Sequence, residues 1–472
     1  MKGAIWRLSY LKQIFLSFPF IFRPMQSKKL GFWAITAALA GFLFGFDTIV
    51  INGAEQELQA LWAAYTLNGS NDLFHGLIVV GSALWGTVVG AMLGGIPNDR
   101  IGRKNTLILI GVLYTISALG SATVSNPWLF AAFRFIGGLG VGASTIAAPA
   151  FVSEIAPANK RGRLVALYQL NIVFGILIAF VSNYLIAVNI DLEAWRWMIG
   201  IEAFPALIYT LIVFTIPKSP RWLLLNKGDE AGARKVFSSI YPENKVEEQI
   251  ALVKASVNEQ IDKHERLFKK KFKIPILLAF GISFFNQFSG INALLYYARR
   301  IFSEAGLGEE AVFLSTVGIG IANFIFTILG VVLIDKLGRK QLMYIGSIGY
   351  ILTLATTSLA FFFDWTAVIA PALFLFIGAH AIGQGAVIWV FISEIFPNHI
   401  RSKGQAFGTS VHWWLAAIIP AMVPALFTSI GPGWVFAIFA IFMVFQLLFV
   451  WKFMPETKGR SLEELEKELI NA

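Results

Sequence analysis

The sequence contains no cysteine. Disulfides, thiol catalysis and thiolate metal sites are therefore excluded. Histidine is scarce as well. His75, His264, His380, His399 and His412 are scattered along the chain, and no metal-binding spacing joins them. Charge is the third shortage: 14% of the 472 residues are Asp, Glu, Lys or Arg, against roughly 25% in ordinary soluble domains. No Walker-type phosphate loop is present, so ATP use is not expected. No nucleophile–base pair stands out, which argues against an enzyme. No cofactor and no metal are implied.

What fills the chain is apolar. Hydrophobic residues make up 57% of it, gathered in runs of about twenty residues, each able to cross a hydrocarbon core as a helix. Spans are expected near 31–53, 73–96, 105–125, 128–150, 164–188, 197–216, 274–303, 309–333, 341–363, 366–392, 404–428 and 432–454. The net charge of +10 is not a nucleic-acid signal, because the basic residues sit in alternate loops. Lys2, Arg7, Lys12, Arg23, Lys28 and Lys29 precede the first span without an acid; residues 54–72 carry Glu55, Glu57 and Asp72 without a base. Lys and Arg stay on the cytoplasmic side, so both termini are expected there, with the chain in the cell membrane. Residues 1–30 read as a cytoplasmic extension lying on the inner surface, since Pro19 and Pro24 interrupt its apolar run and no small-residue cleavage site follows.

Residues 217–273 hold 21 of the 66 charged residues and read as a helical cytoplasmic linker. It separates two six-helix bundles, 31–216 and 274–454, and residues 455–472 form a tail. The halves repeat. Asp99-Arg-Ile-Gly-Arg-Lys104 returns as Asp335-Lys-Leu-Gly-Arg-Lys340; Ser153-Glu-Ile-Ala-Pro157 with Arg161 returns as Ser393-Glu-Ile-Phe-Pro397 with Arg401. Two related halves can rock about a site between them and open it to either side in turn.

These loops, with Arg134-Phe-Ile-Gly-Gly138, Pro217-Lys-Ser-Pro-Arg-Trp222, Gln287-Phe-Ser-Gly-Ile-Asn292 and Pro455-Glu-Thr-Lys-Gly459, resemble the major facilitator superfamily. The match is to its sugar porter family of glucose facilitators and bacterial xylose–proton symporters. The resemblance covers about residues 31–462. It implies an all-α membrane protein of twelve helices in two pseudo-symmetric bundles, working as a monomer on a small sugar. In the family, loop charges matching Asp99, Arg103, Glu154, Arg161, Asp335, Arg339, Glu394 and Arg401 form cytoplasmic gating networks; simple topology is the plainer reading of them.

Charges inside spans are costly, and few are present. Asp47 and Arg134 match the pair that proton-coupled members carry, where facilitators have a neutral amide for the Asp. Glu202 matches a second acid of some of them. For the sugar, the resemblance places Gln169, Gln287, Asn292, Asn323 and Trp389 at contacting positions. Tyr296 stands one turn after Asn292, and Phe44 and Trp413 join as aromatic surface. Gln287 and Asn292 are five residues apart, so both face one cavity only if Ser289-Gly290 breaks the helix. Three departures touch specificity: Asn286 stands for a usual Gln, His412 for a usual Gln or Asn, and Gln384 adds an amide beside a site that lacks its usual Pro. The expectation is a proton-coupled hexose or pentose symporter. A facilitative sugar or polyol carrier is the alternative, and a membrane sensor or enzyme stands further off.

Overall fold

A computed structural model describes residues 28–157, 160–258, 265–397, 399–460 and 462–470. The N-terminal extension up to residue 27, and His264, lie outside the described residues. Among the described residues, twelve helices are long and apolar enough to cross a membrane. In chain order they are Lys28–Leu61, Asn71–Leu93, Arg103–Thr123, Pro127–Ile155, Leu164–Ala187, Ala194–Val213, Lys270–Glu304, Glu309–Leu337, Arg339–Phe362, Thr366–Glu394, Arg401–Ile430 and Pro432–Lys452. They are called the first to twelfth spans below. Helices suit this setting because hydrocarbon offers backbone groups no partner except each other.

Close helix approach depends on small residues rather than on apolar burial, since lipid is as apolar as a leucine. The first and fifth spans interlock this way. A Cβ on Gly45 would overlap the Ile172 carbonyl, and one on Gly175 would overlap that of Phe42. Gly45→Ala must therefore push the two backbones apart. We expect a loss of about 1–3 kcal/mol, read as a lower melting midpoint of the detergent-purified protein; an unchanged midpoint would show that the interlock is loose.

Three spans are broken, and each break sits beside a polar residue. In the seventh, helix Lys273–Phe288 ends and Ile291–Glu304 begins after Gly290 at φ +81°, a left-handed conformation suited to glycine. In the tenth, Gly383 separates Thr366–Ile382 from Gln384–Glu394. In the sixth, Glu202 lies between Ala194–Gly200 and Ala203–Val213.

Two expectations need correction here. The first span does not end near residue 53 but runs to Leu61, because Ala54-Glu-Gln-Glu-Leu-Gln-Ala-Leu61 is rich in helix formers. Glu55, read as a loop charge, lies inside that helix and is fully buried. The fourth span ends at Ile155 and a new helix starts at Arg161.

The linker carries helices Glu230–Ser238 and Glu243–Asn258. The buried Trp222 indole donates to the Asp99 carbonyl at 2.8 Å, docking the linker under the third span. The face bearing the linker is called the linker face, and the opposite one the distal face.

Candidate functional site

Arg134, two turns into the fourth span, is 1% exposed. Its Nη1 donates to Asp47 Oδ1 at 2.6 Å, and its Nη2 to the Asp47 carbonyl at 3.0 Å. Glu202 is fully buried, and its carboxyl lies beside Asp47 and Arg134. The three residues form one buried group of two carboxyls and one guanidinium. Only one carboxylate can be balanced by the single cation, so neutrality of the group requires one proton on a carboxyl. Arg134 Nε, Tyr114 Oη and Ser117 Oγ are buried without hydrogen-bond partners among the described residues. A Cβ on Gly137 would reach both Ser117 Oγ and Asp47 Oδ1, so this glycine leaves room beside the carboxylate.

A second polar cluster forms around Gln287. Its Oε1 accepts from Asn292 Nδ2 at 2.8 Å, which the break at Ser289-Gly290 makes possible across five residues. Its Nε2 donates to Asn286 Oδ1 at 3.0 Å and lies 3.2 Å from both ring nitrogens of His412. Aromatic rings wall the cluster: Trp389 is 4.9 Å from the His412 ring, Trp413 is 5.1 Å from it, and Phe44 is 5.7 Å from Trp413. Trp389 is 38% exposed. Amides beside aromatic plates suit a ligand with hydroxyls on its rim and C–H faces.

The remaining expected site residues fall at varied places. Gln169 is half-buried on the fifth span. Asn323 is buried, its Oδ1 accepting from Thr327 at 3.4 Å. Tyr296 is buried against the first span within reach of Thr48. The structure does not bring Gln384 to the cluster. Its Nε2 donates to Gln446 Oε1 at 2.9 Å, Gln446 donates to Ser347 at 2.8 Å, and Gln384 and Gln446 are fully buried. This amide chain ties the tenth span to the ninth and twelfth, the usual work of a polar side chain between membrane helices.

The first span joins the two clusters. Asp47 faces the fourth span, while its neighbour Thr48 donates to the Phe44 carbonyl at 2.8 Å. One turn on, Asn52 donates to the Tyr296 carbonyl at 3.0 Å in the seventh span. The first span thus touches the fourth span through Asp47 and the seventh, which bears Asn292, through Asn52.

A profile of the family described as "Sugar (and other) transporter" matches residues 33–469. The chain belongs to this sugar transporter family. Among its relatives, the D-xylose-proton symporter of Escherichia coli (strain K12) is 34% identical over 464 residues, covering 92% of this chain and 94% of the relative. The glucose transporter GlcP of Staphylococcus epidermidis is 39% identical over 445 residues, covering 92% and 96%. Among solved structures, a partially occluded inward open form of the xylose transporter XylE from E. coli superposes with a TM-score of 0.83. It has 32% identity and covers 92% of this chain and all of that one. The proton:xylose symporter XylE bound to 6-bromo-6-deoxy-D-glucose superposes at 0.78 with 32% identity, covering 93% and 99%. The protein is thus a multi-pass membrane transporter of the major facilitator fold, not an enzyme.

At the linker face of this sugar transporter, each half holds its own charge network. Arg103 reaches Glu154 at 2.8 Å and Asp99 at 3.2 Å, and Ser219 donates to Glu154. Arg339 reaches Glu394 at 2.7 Å, and Thr457 donates to Glu394 at 2.6 Å. The other two arginines expected in these networks stand at the starts of helices. Arg161 donates to the Ser153 carbonyl at 3.1 Å, and Arg401 is half-buried at the start of the eleventh span. Asp335 is exposed. Glu456 accepts from the backbone N–H groups of Arg339 and Lys340 at 2.9 and 3.0 Å, capping the ninth span. Burial opposes its ionisation, but these N–H donors and that of Lys458 prevail and hold it below the usual carboxylate range.

The halves meet at the distal face, where sequence reasoning placed no functional residue. Arg300 holds Glu55 at 2.6 Å, Arg299 approaches Glu57 at 3.8 Å, and Asn52 bonds the seventh-span backbone. Gly76 packs on the Ala421 carbonyl, and deeper, near mid-span, Gly320 packs on Leu177 and Phe180. The only hint in the sequence was the pair Arg299-Arg300 at the end of an apolar run.

Proposed function

We propose that this transporter carries one monosaccharide, hexose or pentose, inward with a proton by alternating access. The buried Asp47–Arg134 contact with Glu202 beside it carries the reading. A guanidinium at 2.6 Å favours the ionised carboxylate, and burial without it favours the neutral acid. A shift of the fourth span against the first therefore changes proton affinity at Asp47, and Glu202 offers the proton a second seat. Through Thr48, Asn52 and Tyr296 the same shift moves the seventh span, whose Gln287 and Asn292 hold sugar hydroxyls with Asn286, His412, Gln169 and Asn323. Trp389, Trp413 and Phe44 cover the sugar's C–H faces. Linkage of two ligands through one conformational equilibrium is all that symport requires.

The linker face is cytoplasmic on the distribution of Lys and Arg, so the state described is closed outward. Residues 31–216 and 274–454 rock as two bundles joined by 217–273. The linker-face networks around Glu154 and Glu394 form each bundle's inner hinge, and the chain works as a monomer in the cell membrane. Purified protein in vesicles tests this. Uptake of labelled xylose, glucose, galactose or arabinose must alkalinise the external medium and lose its uphill component with a protonophore. Uptake with no proton movement would leave a facilitative carrier.

A further inference from the structure

Glu55, His75 and Arg300 are 0–11% exposed in their side chains and join the two halves at the distal face. Glu55 Oε2 accepts from Arg300 at 2.6 Å and lies 3.1 Å from His75 Nε2. None of the three belongs to the Asp47 group or the amide cluster. We infer that they form a second proton-responsive site, a latch that holds the distal face shut and weakens when His75 gains a proton.

The geometry sets the sign. In the closed latch His75 Nε2–H donates to Glu55, and Nδ1 is buried with no partner among the described residues. Neutral imidazole carries one N–H and fits; imidazolium carries two, and the second would be buried without an acceptor. It would also face the Arg300 cation across their shared carboxylate. The surrounding charges are already engaged. Asp72 accepts from Gln59 at 2.6 Å, and Gln59 in turn accepts from Arg300. Arg299 lies between Glu57 at 3.8 Å and Glu309 at 3.6 Å, and Arg300 lies over the Tyr297 ring. Arg196 of the sixth span holds Glu193. The eleventh span from Trp413 to Ile430, which packs here, has no ionisable side chain.

Opening removes Arg300 and gives Nδ1 water, so the open form binds one proton more. Acid then favours opening, by up to about tenfold per pH unit as pH falls below the ordinary histidine range near 6.5. With the orientation proposed above, the acid side that loads Asp47 also opens the door to it.

The absence of cysteine makes spin labelling clean. Nitroxides at Thr66→Cys and Ser429→Cys, exposed at the distal ends of the two halves, report the gap by pulsed electron resonance. Lowering pH from about 7.5 to about 5.5 should raise the long-distance population several-fold. His75→Gln should flatten the response, and Arg300→Gln should keep the long distance at both pH values. A pH-independent distance in the otherwise unmodified chain overturns the latch. So does an unchanged response in His75→Gln, or a closed, pH-responsive Arg300→Gln, so the test stands even if His75→Gln folds poorly. In Asp47→Asn the response must survive. Its loss there would assign it to the Asp47 group and overturn the latch, whereas a failed symport assay leaves the distance measurement untouched.

Discussion

Vesicles containing Asp47→Asn are expected to equilibrate sugar but not to concentrate it. One proton moving down 100 mV supplies about 2.3 kcal/mol, enough for roughly fifty-fold accumulation. In the variant that ratio should fall to about one. Exchange of labelled for unlabelled sugar across the membrane should continue, because it needs the rocking motion and the amide cluster but no net proton movement. The structure explains why the variant should fold. Asn keeps an oxygen at 2.6 Å for Arg134 Nη1, and the Asp47 carbonyl still accepts from Nη2. Glu202, next to both, can ionise and balance the guanidinium that Asp47 no longer neutralises. Adding Glu202→Gln removes that compensation and leaves a buried cation without a counter-charge. The double variant should therefore lose folded yield as well as coupling. Accumulation by Asp47→Asn at the original ratio would take the proton away from this residue.

Gln287→Ala should weaken sugar binding by about thirty-fold, or about 2 kcal/mol, in an equilibrium binding assay. The loss exceeds that of one neutral hydrogen bond because Gln287 positions three neighbours. Without it Asn292 loses its acceptor, Asn286 its donor, and the His412 ring a partner 3.2 Å away. Gln384→Ala supplies the contrast. Gln384 is as buried and as polar as Gln287, but its contact is Gln446 behind the site. It should leave sugar affinity within a factor of about two and instead lower the melting midpoint, by the cost of an unpaired Gln446. Equal losses of affinity in the two variants would mean that the cavity reaches further into the second half than the Trp389–His412 wall.

Much of this was readable along the chain. Repeated Asp99–Lys104 and Asp335–Lys340 loops gave the two halves, and five-residue spacing with Ser289-Gly290 gave the break that brings Asn292 to Gln287. The misplacements have one cause. Gln384 carries an amide in a span one residue from a glycine, as a sugar contact would, but nothing local says which neighbour it faces. Glu55 was assigned to a loop because an acid ends most apolar runs; its cation, Arg300, lies 245 residues away.

The sequence by itself determined the twelve spans, the break in the seventh and the family. In hydrocarbon every backbone group must be satisfied within its own segment, so helix position is a local property. The tertiary structure alone decided which buried polar groups meet. Asp47 and Arg134 are 87 residues apart, and their contact, like the distal closure by Glu55 and Arg300, exists only because packing sets those helix faces together.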